Sequence, residues 1–497
     1  MQDAIDLGFP LWIRLTHLFN ILFLSLLARS GIEILGGHPK LYWNDHALPG
    51  SEWARFTRKE MPKDELWTAE DEKEPYTPWL ALPGRDNLGL GRYWHFVSVA
   101  GWVIVGALYI TLLFATPQWR RLLPTSWDIF PRAWEAAFTY LRLEIPPHGA
   151  PFNALQQLTY AALIFLLAPL QILTGVAMSP AIAARFPWYT KLFGGRQGAR
   201  SLHFLGLLAF GAFTIHHTAI VIAHGLGDEL AAIVLGVSGS ATAAQRTTAL
   251  AIAGAAIAGI IALHVWATRS SLRAPVPMQH RLQRIFDPLQ QLLLGRLTSR
   301  QRYRAADRSP FQRPNGRPPR DPTWQALAER GFDDFVLEVG GLVERPLRLT
   351  LRELRDLARA EQTTKHVCIQ GWTYTAQWAG VPLRSLLEHC RPTPEARYLC
   401  FHTFDDKWER PGHGYYYSTL SIDDALKPQT ILAYEMNGRP LPHEFGAPLR
   451  LRLETQLGYK MVKYVRAIEL IRDYRQVGTG HGGWREDVLH YSQSAEI

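Results

Sequence analysis

The sequence predicts an N-terminal bundle of transmembrane α-helices followed by a C-terminal α+β domain. Three observations carry that prediction. Five apolar segments of membrane-spanning length all lie before about residue 268. After it, the apolar runs are short, alternating and broken by Gly, Pro and Asp. Between the two regimes lies a stretch with twelve arginines from Arg269 to Arg320, against only Asp287 and Asp307. A chain of 497 residues has room for two to four domains. Its 47% apolar and 20% charged residues average over two solvents, which excludes a single soluble globule and a disordered or collagen-like chain. Three cysteines, Cys368, Cys390 and Cys400, exclude a disulfide scaffold and any CxxC zinc or iron–sulfur framework.

A membrane helix needs about 20 mostly apolar residues. Residues 10–35, 92–116, 152–179, 201–224 and 247–268 meet that requirement. The first segment lacks a basic leader and a small-residue cleavage site, so it is expected to be a span and not a cleaved signal peptide. Trp12, Trp94, Trp119 and Trp188 stand at span ends, where amphipathic rings favour the interface. The loop of about 57 residues between the first two spans is polar and mixed in charge. Within 117–151, Trp127, Phe130, Trp134, Phe138 and Leu141 form an amphipathic pattern expected to lie flat on the membrane.

A polar side chain inside hydrocarbon is costly, so a histidine there points to function. His17 stands in the first turns of span one, His95 in those of span two and His203 at the start of span four; His216, His217 and His224 follow. Facing histidines in a helical bundle hold b-type haem, one imidazole on each side of the iron. The fourteen residues from His203 to His217 turn a helix through about 1400°, about 40° short of four turns, and rise about 21 Å. The two therefore share a face at opposite depths, while His216 falls on roughly the opposite face. Spans two and four begin on one side of the membrane, so His95 pairs with His203. Span one begins on the other, so His17 pairs with His217. Two haems b stacked across the bilayer follow. Hydrogen-bonded core histidines explain one such residue, not four at paired depths. His224 is a lesser alternative ligand, and His264 in span five reads as a capping or interfacial residue.

The first 225 residues resemble the di-haem cytochrome b family of formate dehydrogenase and nickel-hydrogenase membrane subunits, related to bacterial cytochrome b561. The resemblance rests on RLTHLFN around His17, RYWHF around His95, LQILTG at the end of span three and SLHFLG…TIHH in span four. It implies four helices carrying two haems between a quinone site and a redox partner, with His17, His95, His203 and His217 as haem ligands.

The net charge of +9 is concentrated in the arginine-rich segment. Arg281, Arg284, Arg296 and Arg300 flank Ile285, Phe286, Leu289, Leu292, Leu293 and Leu297 at helical spacing, directly after an apolar span. That pattern reads as an amphipathic helix on anionic lipid, against a plain solvated helix, and not as a nucleic-acid site.

After Pro322, FVLEVGGLV, KHVCIQGWTY, RYLCFHTF, PLRLRL and AIELIRDY read as strands, with short helices at TLRELRDLARA and PLRSLLEHC. The domain is α+β on mixed sheet, with no GxGxxG or Walker loop. A lone cysteine in such a domain is usually a small core hydrophobe, the reading that suits Cys390 and Cys400. Cys368 stands instead beside His366 and ahead of Gly371 and Trp372, and a soft thiolate suits a soft or high-valent metal.

KHVCIQGWTYTAQWAGVPLRSLL, RYLCFHTF, ILAYEMNGRPLPHEFGAPLRL and GYKMVKYVRAIEL, in that order over about residues 331–475, resemble the molybdopterin-binding domain of the sulfite oxidase family, and in particular its periplasmic protein-methionine-sulfoxide reductase catalytic subunits. The resemblance implies a pyranopterin that binds molybdenum through a dithiolene, with Cys368 as the protein ligand. It implies pterin and phosphate contacts at Thr403, Arg450 and Lys463, with His366 and Met461 beside them, an upstream contact at Asn315, and an active-site tyrosine at Tyr416. Two departures stand out. IQGW follows the ligand cysteine where sulfite oxidases carry sulfite-binding arginines, and Phe445 precedes GAP where the family usually has Asn or His. A neutral or bulkier S- or N-oxide is thus at least as plausible a substrate as sulfite.

The resulting divisions are a cytochrome domain at 1–225, a connector and fifth span at 226–268, an arginine-rich linker at 269–322 and a sulfite oxidase-like molybdopterin domain at 323–497. The expected function is a membrane-bound oxidoreductase exchanging electrons between quinone and an oxygen-atom-transfer site. Its substrate is a small or protein-bound S- or N-oxide or a sulfite-like compound. The alternative is a cytochrome carrying a non-catalytic docking module. A bacterial inner membrane is implied. The resemblance places the molybdenum domain in the periplasm, whereas the arginine-rich segment favours the cytoplasm under the positive-inside rule; the periplasm is expected. Pairing into a homodimer stays open.

Overall fold

Among the described residues, five helices are long and apolar enough to cross a membrane. They are α1 (Leu11–Gly36), α2 (Leu88–Ala115), α4 (Ala154–Ala177), α5 (Gly195–Leu235) and α6 (Ala243–Arg273), with α3 (Ile129–Leu141) between α2 and α4. This computed structural model describes residues 8–62, 64–142, 144, 146 and 152–497. The first seven residues, part of the reading of an uncleaved N-terminus, lie outside them, as does the stretch 147–151 of the loop before α4. Helices α2 and α5 start earlier than hydropathy predicts: α2 gains residues 88–91, two of them glycine, and the first turns of α5 are polar (Arg196, Gln197 and Arg200) yet helical.

The chain divides into two compact units that are not contiguous in sequence. Met1–Ser30, Trp94–Thr174 and Leu202–Arg273 form the first; Gly31–Tyr93, Gly175–Ser201 and Ala274–Ile497 form the second. The spatial division cuts across the linear one for an electrostatic reason. Glu72, from the loop between α1 and α2, is buried against His38 (2.8 Å), Lys40 (3.5 Å) and Arg313 (3.2 Å), the last from the arginine-rich linker. Charges this deeply buried must find one another, and that need draws distant segments into one unit.

In the first unit, polar groups of the spans are met by neighbouring helices, as hydrocarbon requires. Trp102 Nε1 donates to Asn20 Oδ1 (3.0 Å) and Trp94 Nε1 to Ser271 Oγ (2.9 Å). Both ring nitrogens of His264 are engaged by α1, through Ser25 Oγ (2.9 Å) and Arg29 Nη1 (2.8 Å). His264 therefore ties span five to span one. Helix α3 buries Ile129, Ala133 and Ala136 and leaves Trp127, Phe130, Trp134, Phe138 and Leu141 exposed, the geometry expected of a helix lying flat.

The second unit carries two five-stranded sheets. Strands β1 (Val336–Gly341), β2 (Leu347–Thr350), β5 (Tyr398–Thr403), β6 (Tyr417–Ser421) and β10 (Val465–Ile471) form one, in the order β2-β1-β10-β5-β6. The β1–β10 pair is parallel and the others antiparallel, so the sheet is mixed. The other holds β3 (Ala360–Val367), β4 (Thr373–Pro382), β7 (Ile431–Met436) and β8 (Arg439–Pro440) in the order β8-β7-β4-β3, with β9 (Arg450–Arg452) also on β7. Cys368 follows β3 in the tight turn that leads into β4; its backbone N–H donates to Trp372 O (3.1 Å). Cys390 and Cys400 are buried in the domain interior as core residues. Helix α7 (Pro275–Leu294) packs on this unit with Met278, Leu282, Phe286 and Leu294 buried. The apolar stripe read from sequence thus splits: Phe286 turns inward, while Ile285, Leu289, Leu292 and Leu293 stay exposed.

Candidate functional site

Two pairs of imidazoles face one another in the first unit. His95 and His203 have ring centroids 6.3 Å apart, His17 and His217 6.4 Å. Two imidazoles sharing one metal, each nitrogen about 2 Å from it and roughly 1.1 Å from its ring centre, are separated by about 6.2 Å. Both gaps have the width that one metal ion shared by the two imidazoles would need.

The hydrogen bonds behind one pair settle its tautomers. Ser30 Oγ donates to Leu26 O (2.7 Å) and lies 3.1 Å from His95 Nδ1. Thr174 Oγ1 donates to Leu170 O (2.7 Å) and lies 3.1 Å from His203 Nδ1. Each hydroxyl has spent its proton on a carbonyl, so each accepts from Nδ1–H, which makes Nε2 the unprotonated nitrogen of each ring. His217 stacks on Phe213 (5.3 Å, 9°). His216 is exposed, as the helical arithmetic requires, and His224 places Nδ1 2.9 Å from Ile220 O.

In the second unit, Cys368 is fully buried. Asn315 Nδ2 lies 3.7 Å from its sulfur, and the thiol lies 3.5 Å from Gln370 Oε1, which also accepts from Trp372 Nε1 (3.0 Å). Burial pushes the thiol up to about 11, so a thiolate here needs a cation beside it. Lys463 Nζ donates to Asn315 O (2.7 Å), Glu444 O (3.1 Å) and Tyr464 Oη (3.2 Å). Arg450 donates to Phe445 O (3.0 Å) and Met461 O (3.4 Å). Arg452 reaches His366 Nδ1 (2.8 Å), Met461 Sδ (2.9 Å) and Glu454 (2.9 Å). The ring of His366 packs on the Cα of Gly458, where an added Cβ would stand 2.5 Å from it.

This pocket is short of negative charge. Among the described residues, no carboxylate lies within ion-pair distance of Arg450 or Lys463, and neither Arg450 Nε nor Asn315 Oδ1 has a hydrogen-bond partner. Burial, then Arg450, pushes Lys463 down to about 7; burial, then Arg452, drives His366 well below its usual value. Buried cations and an unpartnered guanidinium donor such as Arg450 Nε suit an anionic, phosphate-bearing ligand. The residues present therefore fit a molybdopterin: Arg450 and Lys463 would meet its phosphate and Cys368 would supply the thiolate.

Thr403 and Tyr416 stand together. Thr403 Oγ1 donates to Tyr416 O (2.6 Å) and accepts from Asp405 N (3.1 Å), so its hydroxyl is committed to shaping the turn that presents Tyr416. Tyr416 Oη donates to Tyr459 O (2.6 Å), and burial pushes its pKa well up, which keeps the hydroxyl protonated. Two contributors were missed in the sequence. Arg452 was legible, two residues beyond Arg450 and so on the same face of a strand. Gln370 carried no signal in CIQG that it would bind the thiol.

Comparison with known proteins assigns each half of the chain to a family. Residues 8–236 match the family model for prokaryotic cytochrome b561, and residues 325–477 match the oxidoreductase molybdopterin-binding domain. The chain joins a cytochrome b561 domain to a molybdopterin-binding oxidoreductase domain. An Azospira oryzae protein provisionally named a protein-methionine-sulfoxide reductase subunit, YedZ1, is 37% identical over 153 residues, 31% of this chain and 53% of its own. The protein-methionine-sulfoxide reductase catalytic subunit MsrP of Xanthomonas axonopodis is 37% identical over 144 residues, 28% of this chain and 45% of its own. The chain thus spans about half the length of these curated relatives. The sulfane dehydrogenase SoxCD of Paracoccus pantotrophus overlays 30% of this chain and 42% of its own at 24% identity, with a TM-score of 0.26. The cytochrome b561 match makes the chain an integral membrane protein and implies haem b; the molybdopterin match implies the molybdenum cofactor.

Proposed function

We propose that this chain is a membrane-bound molybdenum oxidoreductase that exchanges electrons between quinone and an oxygen-atom-transfer site through two b haems. The observation that carries the reading is the pair of imidazole gaps, 6.3 and 6.4 Å, in the chain that also buries the Cys368 thiol beside Asn315, whose backbone oxygen accepts from Lys463. His95 with His203 holds one haem iron, and His17 with His217 the other. Cys368 supplies the protein thiolate to molybdenum. Asn315 orients that ligand, Arg450 and Lys463 neutralise the cofactor phosphate, His366 and Met461 pack the pocket with Arg452, and Thr403 holds Tyr416 in place, its hydroxyl bonded to Tyr459 O.

Bound molybdopterin supplies two-electron oxygen-atom transfer, whereas haems pass one electron at a time. Removing oxygen from a sulfoxide or N-oxide consumes two electrons and two protons and releases water, and a quinol supplies both. Fusion makes the second electron delivery intramolecular, which raises its effective concentration. The methionine-sulfoxide reductase names of the relatives support a sulfoxide as substrate class. The molybdopterin domain follows five spans, so it lies across the membrane from the N-terminus, on the periplasmic side.

Metal and haem content of the purified chain tests the reading. Two haems b and one molybdenum per chain are expected, and Cys368→Ser keeps both haems while losing turnover. Haem iron without molybdenum leaves the C-terminal domain a docking module and overturns the proposal.

A further inference from the structure

Helix α7 has a committed face and an uncommitted one. Gln279 Nε2 donates to Glu486 O (3.2 Å) and Tyr491 O (3.1 Å), and Gln290 Nε2 to Glu496 Oε2 (3.0 Å). Asp287 accepts from Tyr93 Oη (3.2 Å) and Ser492 Oγ (3.3 Å). With Met278, Leu282 and Phe286 buried beside them, these bonds fix the rotation of the helix about its axis. The opposite face is therefore fixed too. It presents Ile285 (60% exposed), Leu289 (40%), Leu292 (79%) and Leu293 (63%), at the spacing of one helical stripe. Arg281, Arg284 and Arg296 are exposed around it. Asp287, the only carboxylate of the helix, points inward to Tyr93 and Ser492.

An exposed leucine stripe rimmed only by cations has few natural occupants. Water leaves four large apolar side chains unburied. A second copy meeting the same face about a twofold axis sets arginines against arginines, and the helix's own carboxylate, Asp287, is turned inward to Tyr93 and Ser492. A phospholipid surface satisfies both features at once, because apolar side chains enter the acyl boundary while guanidinium groups meet phosphate. Sequence continuity points the same way: Ala274 alone separates α7 from α6, a membrane-spanning helix.

We propose that the outward face of α7 is a membrane-surface site, with Ile285, Leu289, Leu292 and Leu293 immersed at the interface and Arg281, Arg284 and Arg296 binding anionic phospholipid headgroups. The site anchors the molybdopterin-binding unit to the bilayer independently of the spans.

The three native cysteines are buried, so Leu292→Cys can be labelled selectively with an environment-sensitive fluorophore. The full holo-chain is reconstituted in vesicles of phosphatidylcholine, with or without phosphatidylglycerol, and haem absorbance reports that the fold is intact. Blue-shifted emission, quenched by a nitroxide on the lipid chains and more strongly with phosphatidylglycerol, is expected. Arg281→Gln with Arg284→Gln abolishes the difference between the two lipid mixtures. Water-like emission in both vesicles overturns the proposal. So does shielded emission that lipid nitroxides leave unquenched while two labelled-site cysteines cross-link between copies, which assigns the face to a second copy.

Discussion

Replacing Thr174 with Val removes the acceptor of the His203 Nδ1 proton while keeping side-chain shape. The hydroxyl lies 3.1 Å from that nitrogen and donates its own proton to Leu170 O, so the bond runs from imidazole to oxygen. Such a bond makes the imidazole a stronger electron donor and favours oxidised iron. A hydrogen bond of this kind is worth about 1 kcal/mol net. For a one-electron couple, where tenfold corresponds to about 59 mV, losing it raises the midpoint potential by about 40 mV. Ser30→Ala does the same from the His95 side, and the two together raise the same haem by about 80 mV if additive. The haem held by His17 and His217 makes neither bond and stays where it is. Potentiometric titration of the purified chain, resolving the two b haems, reads this directly. Equal movement of both haems, or of neither, refutes the pairing and the tautomers deduced from it.

Three further outcomes follow from the geometry. Lys463 is held at about 7 in the folded chain against 10.5 when free, so the unfolded state binds more protons between those values. The stability of cofactor-free protein should therefore rise with pH from about 7 to 10.5, by an amount on the order of a few kcal/mol, and that slope should flatten once molybdopterin is bound; a flat profile without cofactor contradicts the uncompensated charge. Glu72→Ala leaves Arg313 buried without its carboxylate and should cost about 3–5 kcal/mol in denaturant unfolding, where a loss below about 1 kcal/mol denies the network its role. Alkaline phosphatase fused after Ile497 should be active in cells and a cytoplasm-dependent fluorescent protein dark; the reverse places the molybdopterin domain inside.

Much of this was legible in the sequence, and the illegible parts have physical causes. Histidine pairing needed only helix geometry and the alternation of span direction, which is why His217 could be preferred to His216. Strands such as KHVCIQGWTY announced themselves by alternation and Gly/Pro punctuation. Hydropathy missed the first turns of α5 because it reads environment, and Arg196, Gln197 and Arg200 occupy helix outside the apolar stretch. The partition of the loop between α1 and α2 was beyond reach, since Glu72 meets Arg313 across 241 residues and no local pattern encodes that pairing. Apolar spacing found α7 yet could not say which side was taken. The inward choice of Phe286 over Ile285 was decided by Asp287 and Gln290 finding polar partners. Among the site residues, Asn315, whose motif was the least distinctive, is the one placed against the Cys368 sulfur.

The most direct test of electron exchange between the two cofactor sites uses the haems as the indicator. The purified chain is reduced anaerobically, excess reductant is removed, and sulfoxides and N-oxides are added while haem absorbance is followed. The account predicts prompt reoxidation in the wild-type chain and none in Cys368→Ser, with both haems retained in each. Haems that stay reduced with every oxide and oxidised with sulfite, or a Cys368→Ser chain that reoxidises at the wild-type rate, contradict it.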